Sequence, residues 1–197
     1  MRIGFDVDGV IANFTKVFTG ILNGINPKCP ILNDYSEVLH WYYDKFLPVT
    51  KLEIKRAWEI VDKNPNFWRS IPPIKNIKVV VDFVNHNRHQ HDFYFITSRL
   101  ATGGISATYQ TINWLRAMGF RDPQVIETST KGNIIEFLGI RYYIDDRTKN
   151  CLDVAEKSPG CKIYCPNYPY NADVVNSVIK VPSVIEYIEQ VKWGMDK

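Results

Sequence analysis

Short apolar runs that end in polar residues alternate along this chain with segments whose apolar positions recur every three or four residues. These are the two periods that separate buried strands from amphipathic helices. Ile3-Gly4-Phe5 runs into Asp6-Val7-Asp8-Gly9 and predicts a first buried strand ending in acid, after which Phe14, Val17, Phe18, Ile21 and Leu22 predict a helix stopped by Asn26-Pro27 and Cys29-Pro30. Ile77, Val80, Val81 and Val84 share one face of a second helix, Asp92-Phe93-Tyr94-Phe95-Ile96 is a strand ending at Thr97-Ser98-Arg99, and Ala107 to Met118 is a helix closed by Gly119. Gln124-Val125-Ile126 is a short strand, and Thr130-Lys131-Gly132 opens a helix carrying Ile134, Ile135, Phe137 and Leu138. Tyr142-Tyr143-Ile144 is a fourth strand and again ends in acid, Asp145-Asp146. Leu152 and Val154 begin another helix, Lys162 to Cys165 and Val178 to Val181 are the remaining strands, and Pro182-Ser183 starts a closing helix that buries Val184, Ile188 and Val191. Frayed backbone is expected from Gly194 to Lys197.

Strand following helix in this way predicts an α/β fold, a doubly wound, mostly parallel sheet with helices on both faces. One stretch breaks the alternation. From Ile31 to Phe67, Tyr35, Trp41, Tyr42, Tyr43, Phe46, Trp58 and Phe67 crowd among strongly polar residues, with Trp68 just beyond, which reads as two or three short helices, Pro48 breaking one and Thr50 capping the next. Ile71-Pro72-Pro73-Ile74 is an extended return. The expected organisation is a core of residues 1–28 and 72–197 with a small helical cap, 29–71, inserted after the first strand-helix unit.

At 197 residues the chain is long enough for one good core, and 45% hydrophobic with 23% charged residues argues against disorder. A formal net charge of +3 with scattered Lys and Arg gives no polyanion groove, so no nucleic-acid partner is expected. Without a long apolar window or a signal-like start, no membrane contact is expected and a cytoplasmic location is the default. Cys151, Cys161 and Cys165 lack the second tight pair or nearby histidine of a zinc site and are expected to be ordinary thiols, while His86, His89 and His91 sit in a mixed polar run and read as solvated surface.

Ligands of an open parallel sheet sit beyond the carboxyl ends of its strands, so Asp6 and Asp8 emerge where chemistry is expected. Two such carboxylates need a counter-charge, and hard oxygen ligands favour Mg²⁺, although a lone Asp-x-Asp-Gly is equally a solvated turn. The hydroxyls of Thr97-Ser98 suit phosphate oxygens, and Lys131 at a helix start opposes the macrodipole unless it meets an anion. The aromatic insertion is either core filling or a slot for a flat ring.

Taken together, Asp6-Val7-Asp8-Gly9-Val10-Ile11-Ala12-Asn13-Phe14, Ile96-Thr97-Ser98, Lys131 and Ile144-Asp145-Asp146-Arg147 resemble the four motifs of haloacid dehalogenase-like phosphohydrolases, whose core is Rossmannoid. With Phe67-Trp68-Arg69-Ser70-Ile71-Pro72-Pro73-Ile74 as a cap exit, the wording is closest to the 5'(3')-deoxyribonucleotidases, over roughly the first three-quarters of the chain. Two positions depart from that family's pattern: Arg99 where proline is expected, and Asn13 where an acid is usual. The resemblance implies a Mg²⁺-dependent phosphomonoesterase for nucleoside monophosphates. Asp6 would be the nucleophile that forms an aspartyl-phosphate, Asp8 the acid and base, Thr97, the Ser98 backbone and Lys131 the phosphate ligands. The metal would lie on Asp6, the Asp8 backbone, and Asp145 or Asp146, with Asp145 favoured as the direct ligand. Phe14, then Trp58, Phe67 and Trp68, are the candidate base contacts. A phosphatase for another small phosphomonoester or a nucleic-acid 3' end, and a non-catalytic nucleotide-binding module, are the alternatives. A homodimer is left open, as nothing in the sequence marks an interface.

Overall fold

The computed structural model describes residues 1–173 and 177–195. Among the described residues six runs form strands: β1 (Arg2–Asp6), β2 (Asp92–Thr97), β3 (Gln124–Glu127), β4 (Tyr142–Ile144), β5 (Lys162–Pro166) and β6 (Val178–Val181). They make one sheet in the order β3-β2-β1-β4-β5-β6, and each neighbouring pair is parallel. The chain leaves β1 toward β2 and β3, then returns to lay β4 on the other side of β1. The strand order therefore reverses at β1, the position where open α/β sheets carry their ligands.

The helices are α1 (Phe14–Ile25), α2 (Lys51–Lys63), α3 (Ile77–Asn87), α4 (Ala107–Ala117), α5 (Lys131–Leu138), α6 (Thr148–Lys157) and α7 (Val184–Met195). One body of core packs Phe5 and Phe95 with Val80 and Val84 of α3, Trp114 and Leu115 of α4, and Tyr187 and Ile188 of α7. A second packs Ile96, Tyr143, Ile163 and Cys165 against Ile135 of α5 and Cys151 and Val154 of α6. Gly4 lets Tyr143 cross the central strand, since a Cβ there would come 2.8 Å from the Tyr143 ring. That crossing brings the Tyr143 hydroxyl to the Asp145 carboxylate at 2.7 Å, which ties the packing of the sheet to its acidic end. The four cysteines are free and buried.

Two expectations change in detail. Between α1 and α3 the chain forms one regular helix, α2, and three short 3₁₀ turns (Tyr35–Glu37, Tyr43–Lys45, Phe67–Arg69) in place of several short helices. Thr50 and Glu53 form a reciprocal capping box that nucleates α2, whereas the stretch before it has prolines and no sustained apolar period. The closing helix runs on to Met195 rather than fraying at Gly194; Asp196 and Lys197 lie outside the described residues. No helix among the described residues is long and apolar enough to cross a membrane.

Candidate active site

The turn after β1 is built on one carbonyl. Val7 O accepts from the N–H groups of Ile11 (2.9 Å) and Ala12 (2.8 Å), and Gly9 N returns to Ala12 O at 3.0 Å. Gly9 takes φ +86°, where a side chain is strained, and a Cβ there would overlap the Asp146 carboxylate. Glycine at this position thus lets the β1 turn close onto the end of β4.

Asp6, Asp145 and Asp146 offer carboxylate oxygens that lie within 4.8 Å of one another, and all three residues are buried. Lys131, at the first position of α5, reaches into them, its Nζ 2.6 Å from Asp6 Oδ1 and 2.7 Å from Asp145 Oδ2. Burial, then the Asp145 carboxylate, push Asp6 well above the usual carboxylate range, with Lys131 pulling the other way. Asp146 is pushed up to about 7 by the same two causes. Burial works against the charge on Lys131, but the Asp145 and Asp6 carboxylates outweigh it and hold the ammonium above its ordinary value. Three buried carboxylates facing one lysine leave a surplus of negative charge among oxygen donors. That donor set fits a hard divalent cation.

The two aspartates at the end of β4 differ in their partners. Asp145 is saturated: Oδ2 accepts from Lys131, Tyr143 and Asn150, and Oδ1 from Arg147 N (2.9 Å) and Asn150 (3.0 Å). Asp146 accepts from the Tyr170 hydroxyl on Oδ2 at 2.5 Å and borders the open crevice. Asp8, one residue beyond Val7, lies outside this cluster and is gripped by Arg99, whose Nε and one terminal nitrogen each lie 2.9 Å from a different oxygen of its carboxylate.

Above these groups are two adjoining cavities of about 300 and 440 Å³ that share Asp8, Phe14, Trp41, Trp58 and Asp146 in their walls. The smaller also takes in Asp6, Thr97, Ser98, Lys131 and Trp68. The larger is walled by Tyr35, Tyr42, Tyr43 and Tyr170. Phe14 and Trp58 stack with ring centroids 5.6 Å apart, and Trp41 closes the rim over Arg147 at 4.5 Å. The Ser98 hydroxyl is committed to Thr128 O at 2.7 Å.

The family of 5' nucleotidase, deoxy (Pyrimidine), cytosolic type C proteins (NT5C) matches residues 1–189. The chain belongs to this family. The match runs well past Arg147, so the NT5C pattern includes the C-terminal strands that the motif resemblance alone did not reach. An L-2-haloacid dehalogenase is similar in structure, with TM-score 0.51 at 10% identity over 98% of each chain. A haloacid dehalogenase-like hydrolase from Burkholderia xenovorans LB400 has TM-score 0.58 at 11% identity over 98% of this chain and 97% of its own. At such identities the likeness is one of fold. Among curated proteins no sequence matches. This NT5C chain is a hydrolase of the haloacid dehalogenase-like phosphohydrolase type, with a buried aspartate cluster at the expected strand ends.

Of the candidate site residues in this sequence, Asp6, Asp8, Thr97, Ser98, Lys131, Asp146, Phe14, Trp58 and Trp68 border the smaller cavity. Asp145 stands behind Lys131, and Phe67 borders neither cavity: it is buried edge-on against Phe14 at 6.4 Å. Arg99, Arg147, Asn150 and Tyr170 were not evident as site residues. Tyr170 follows the end of β5, the next strand along the sheet from β4, and that position was the available signal.

Proposed function

We propose that this chain hydrolyses nucleoside monophosphates with Mg²⁺, as a 5'(3')-deoxyribonucleotidase, through an aspartyl-phosphate on Asp6. The observation that carries the reading is the meeting of Asp6, Lys131, Asp145 and Asp146 in one buried cluster that opens, through Asp146 and Asp8, onto a crevice walled by aromatic rings. The family description, with its deoxy and pyrimidine terms, supports the substrate class.

In this mechanism an Asp6 carboxylate oxygen attacks phosphorus, the bond to the nucleoside oxygen breaks, and Asp8 gives that oxygen a proton. Water then attacks the aspartyl-phosphate, Asp8 takes its proton, and phosphate leaves with Asp6 restored. Asp6, the Asp8 backbone and Asp146 would hold the cation, which when bound supplies positive charge to the phosphoryl oxygens and to the buried carboxylates. Asp146 is preferred to Asp145 as the direct ligand because Asp145 already has its oxygens filled, so that its task is to orient Lys131. Lys131, Thr97 and the Ser98 backbone N–H take the transferring oxygens, where charge spreads in a loose transition state. Residues 29–71 act as the cap on a core of 1–28 and 72–197, with Phe14, Trp58 and Trp68 against the nucleoside and water excluded around it.

The test is phosphate release from a panel of 5'- and 3'-monophosphates of ribo- and deoxyribonucleosides, with and without Mg²⁺, with Asp6→Asn as control. Release confined to nucleotides, dependent on the metal and abolished in the variant is expected. Equal release from glycerol phosphate and sugar phosphates would remove the nucleotide assignment, and none from any substrate would favour a binding module.

A further inference from the structure

The two aspartates at the β1 end are paired with cations from different elements. Lys131 serves Asp6, and Arg99, just past β2, serves Asp8. The Arg99 side chain has no exposed surface, whereas that of Asp8 is 24% exposed and faces both cavities. Its Nε meets Asp8 Oδ2 and a terminal nitrogen meets Oδ1, both at 2.9 Å, a two-pronged contact that fixes the plane of the carboxylate as well as its position. The other terminal nitrogen donates to Thr111 Oγ1 at 3.1 Å, and that hydroxyl donates to Ala107 O at 2.8 Å on α4. Two indoles lie against the guanidinium, Trp68 at 4.9 Å and Trp114 at 5.6 Å. Neither ring is free to turn, because Trp68 Nε1 donates to Leu100 O (2.8 Å) and Trp114 Nε1 to Ile71 O (2.6 Å).

We propose that Arg99 is the positioning residue of the acid–base step: it holds the Asp8 carboxylate in the one orientation from which a proton passes to the leaving oxygen and back from water. The inference rests on the reading of Asp8 given above. A fork that takes one lone pair from each oxygen leaves the remaining pairs directed away from the guanidinium, where the substrate side lies. The Arg99 side chain stands behind Asp8 with no exposed surface, and each of its three nitrogens has a partner in Asp8 or Thr111, so it is Asp8 that is presented to substrate. In the first step the P–O bond to the leaving group breaks and its electron pair is protonated by the Asp8 carboxyl. In the second a water oxygen bonds to phosphorus, the water proton goes to Asp8, and the P–O bond to Asp6 breaks. Both need Asp8 in place; attack by Asp6 on a substrate whose leaving group needs no proton does not.

That difference is the test. Wild type, Arg99→Met, Arg99→Lys and Thr111→Val are compared on a 2'-deoxynucleoside 5'-monophosphate, whose alkoxide must be protonated, and on p-nitrophenyl phosphate, whose phenolate leaves unaided, with thermal melts to check folding. For Arg99→Met, turnover of the nucleotide is expected to fall about 100-fold or more, the range of a lost general acid–base contribution. The same variant should release p-nitrophenol in a fast burst approaching one per active site, followed by slow steady turnover as aspartyl-phosphate accumulates. Arg99→Lys, which keeps charge without the fork, and Thr111→Val, which loosens one anchor, should show smaller losses with the same asymmetry. They carry the test if Arg99→Met does not fold. Equal losses on both substrates without a burst, or no loss, would overturn the inference while leaving the phosphatase reading intact. A wild-type protein inactive on both substrates overturns the phosphatase reading and this inference with it.

Discussion

Replacing Lys131 by methionine keeps most of the side chain's length and removes its charge from between Asp6 and Asp145. The lost contacts are at 2.6 and 2.7 Å among fully buried groups. At an effective dielectric of about 20, each such pair is worth roughly 6 kcal/mol of gross attraction, offset by the cost of burying both ions. Removing one partner from a buried ion pair costs about 3–5 kcal/mol of stability when the other stays charged. The carboxylates can escape that cost by holding protons. Asp6 is already raised by burial, and without the ammonium it is raised further, so the folded variant keeps protons over a range where the folded wild type has shed them. The stability deficit of the variant must therefore grow with pH. In denaturant titrations of metal-free protein the deficit should be smaller at pH 5.5 than at pH 8. In phosphate-release assays with Mg²⁺, losing this preorganised contact should cost about 2–4 kcal/mol of transition-state stabilisation, or about 30- to 1,000-fold in kcat/KM. Turnover within threefold of wild type, or the same deficit at both pH values, would refute the reasoning.

Tyr170→Phe removes the hydroxyl on Asp146 Oδ2 without opening a large space, and should weaken Mg²⁺ binding about 10- to 100-fold by calorimetry with the fold unchanged. Unaltered affinity would leave Tyr170 a packing residue. Gly9→Ala forces a side chain into φ +86° and onto the Asp146 carboxylate; backbone strain of about 1–2 kcal/mol should lower the melting temperature modestly, while metal-dependent turnover is lost. In wild type without metal, Asp146 (about 7) and Asp6 are raised above their unfolded values, so the folded state binds more protons than the unfolded one. Their contribution is complete below the unfolded carboxylate pKa and declines as pH rises through the folded values, by about 1.4 kcal/mol per pH unit for each group. Unfolding in EDTA should show stability falling between pH 5 and 8, and Mg²⁺ should restore more at pH 8 than at pH 6.

The strands were legible because each is a short apolar run that stops abruptly in polar residues, and the same feature exposed much of the site. Asp6, Thr97 and Asp145-Asp146 stand at or just beyond the ends of β1, β2 and β4, which a parallel sheet brings side by side. Pairing within the cluster was not legible. That Asp145 is filled by Tyr143, Asn150 and Lys131 while Asp146 faces the crevice depends on which way two consecutive side chains leave a strand end. Phe67 and Trp68 pose the same problem: they share a 3₁₀ turn, yet Trp68 borders the crevice and Phe67 packs behind Phe14. Arg99 was visible only as a departure from a family pattern, because its partners come from three separate parts of the chain: Asp8 after β1, Trp68 in the 3₁₀ turn, and Thr111 with Trp114 on α4.

The division of cations explains why two aspartates one residue apart can do different work. Asp8 is paired with Arg99, its one ion-pair partner among the described residues, and keeps some exposure. Asp6 shares one lysine with Asp145 and lies within reach of Asp146, so its cluster carries more negative charge than the protein neutralises. A phosphate monoester, the substrate class proposed above, would bring further negative charge to that end of the crevice. The cluster is thus one that a divalent cation would complement, and on the proposed mechanism that cation would bear on Asp6 and the phosphoryl group far more than on Asp8. On the proposed mechanism, burying Lys131 with the three aspartates would make the cation a condition of the chemistry on Asp6, while the Arg99 fork would keep Asp8 in position with or without it.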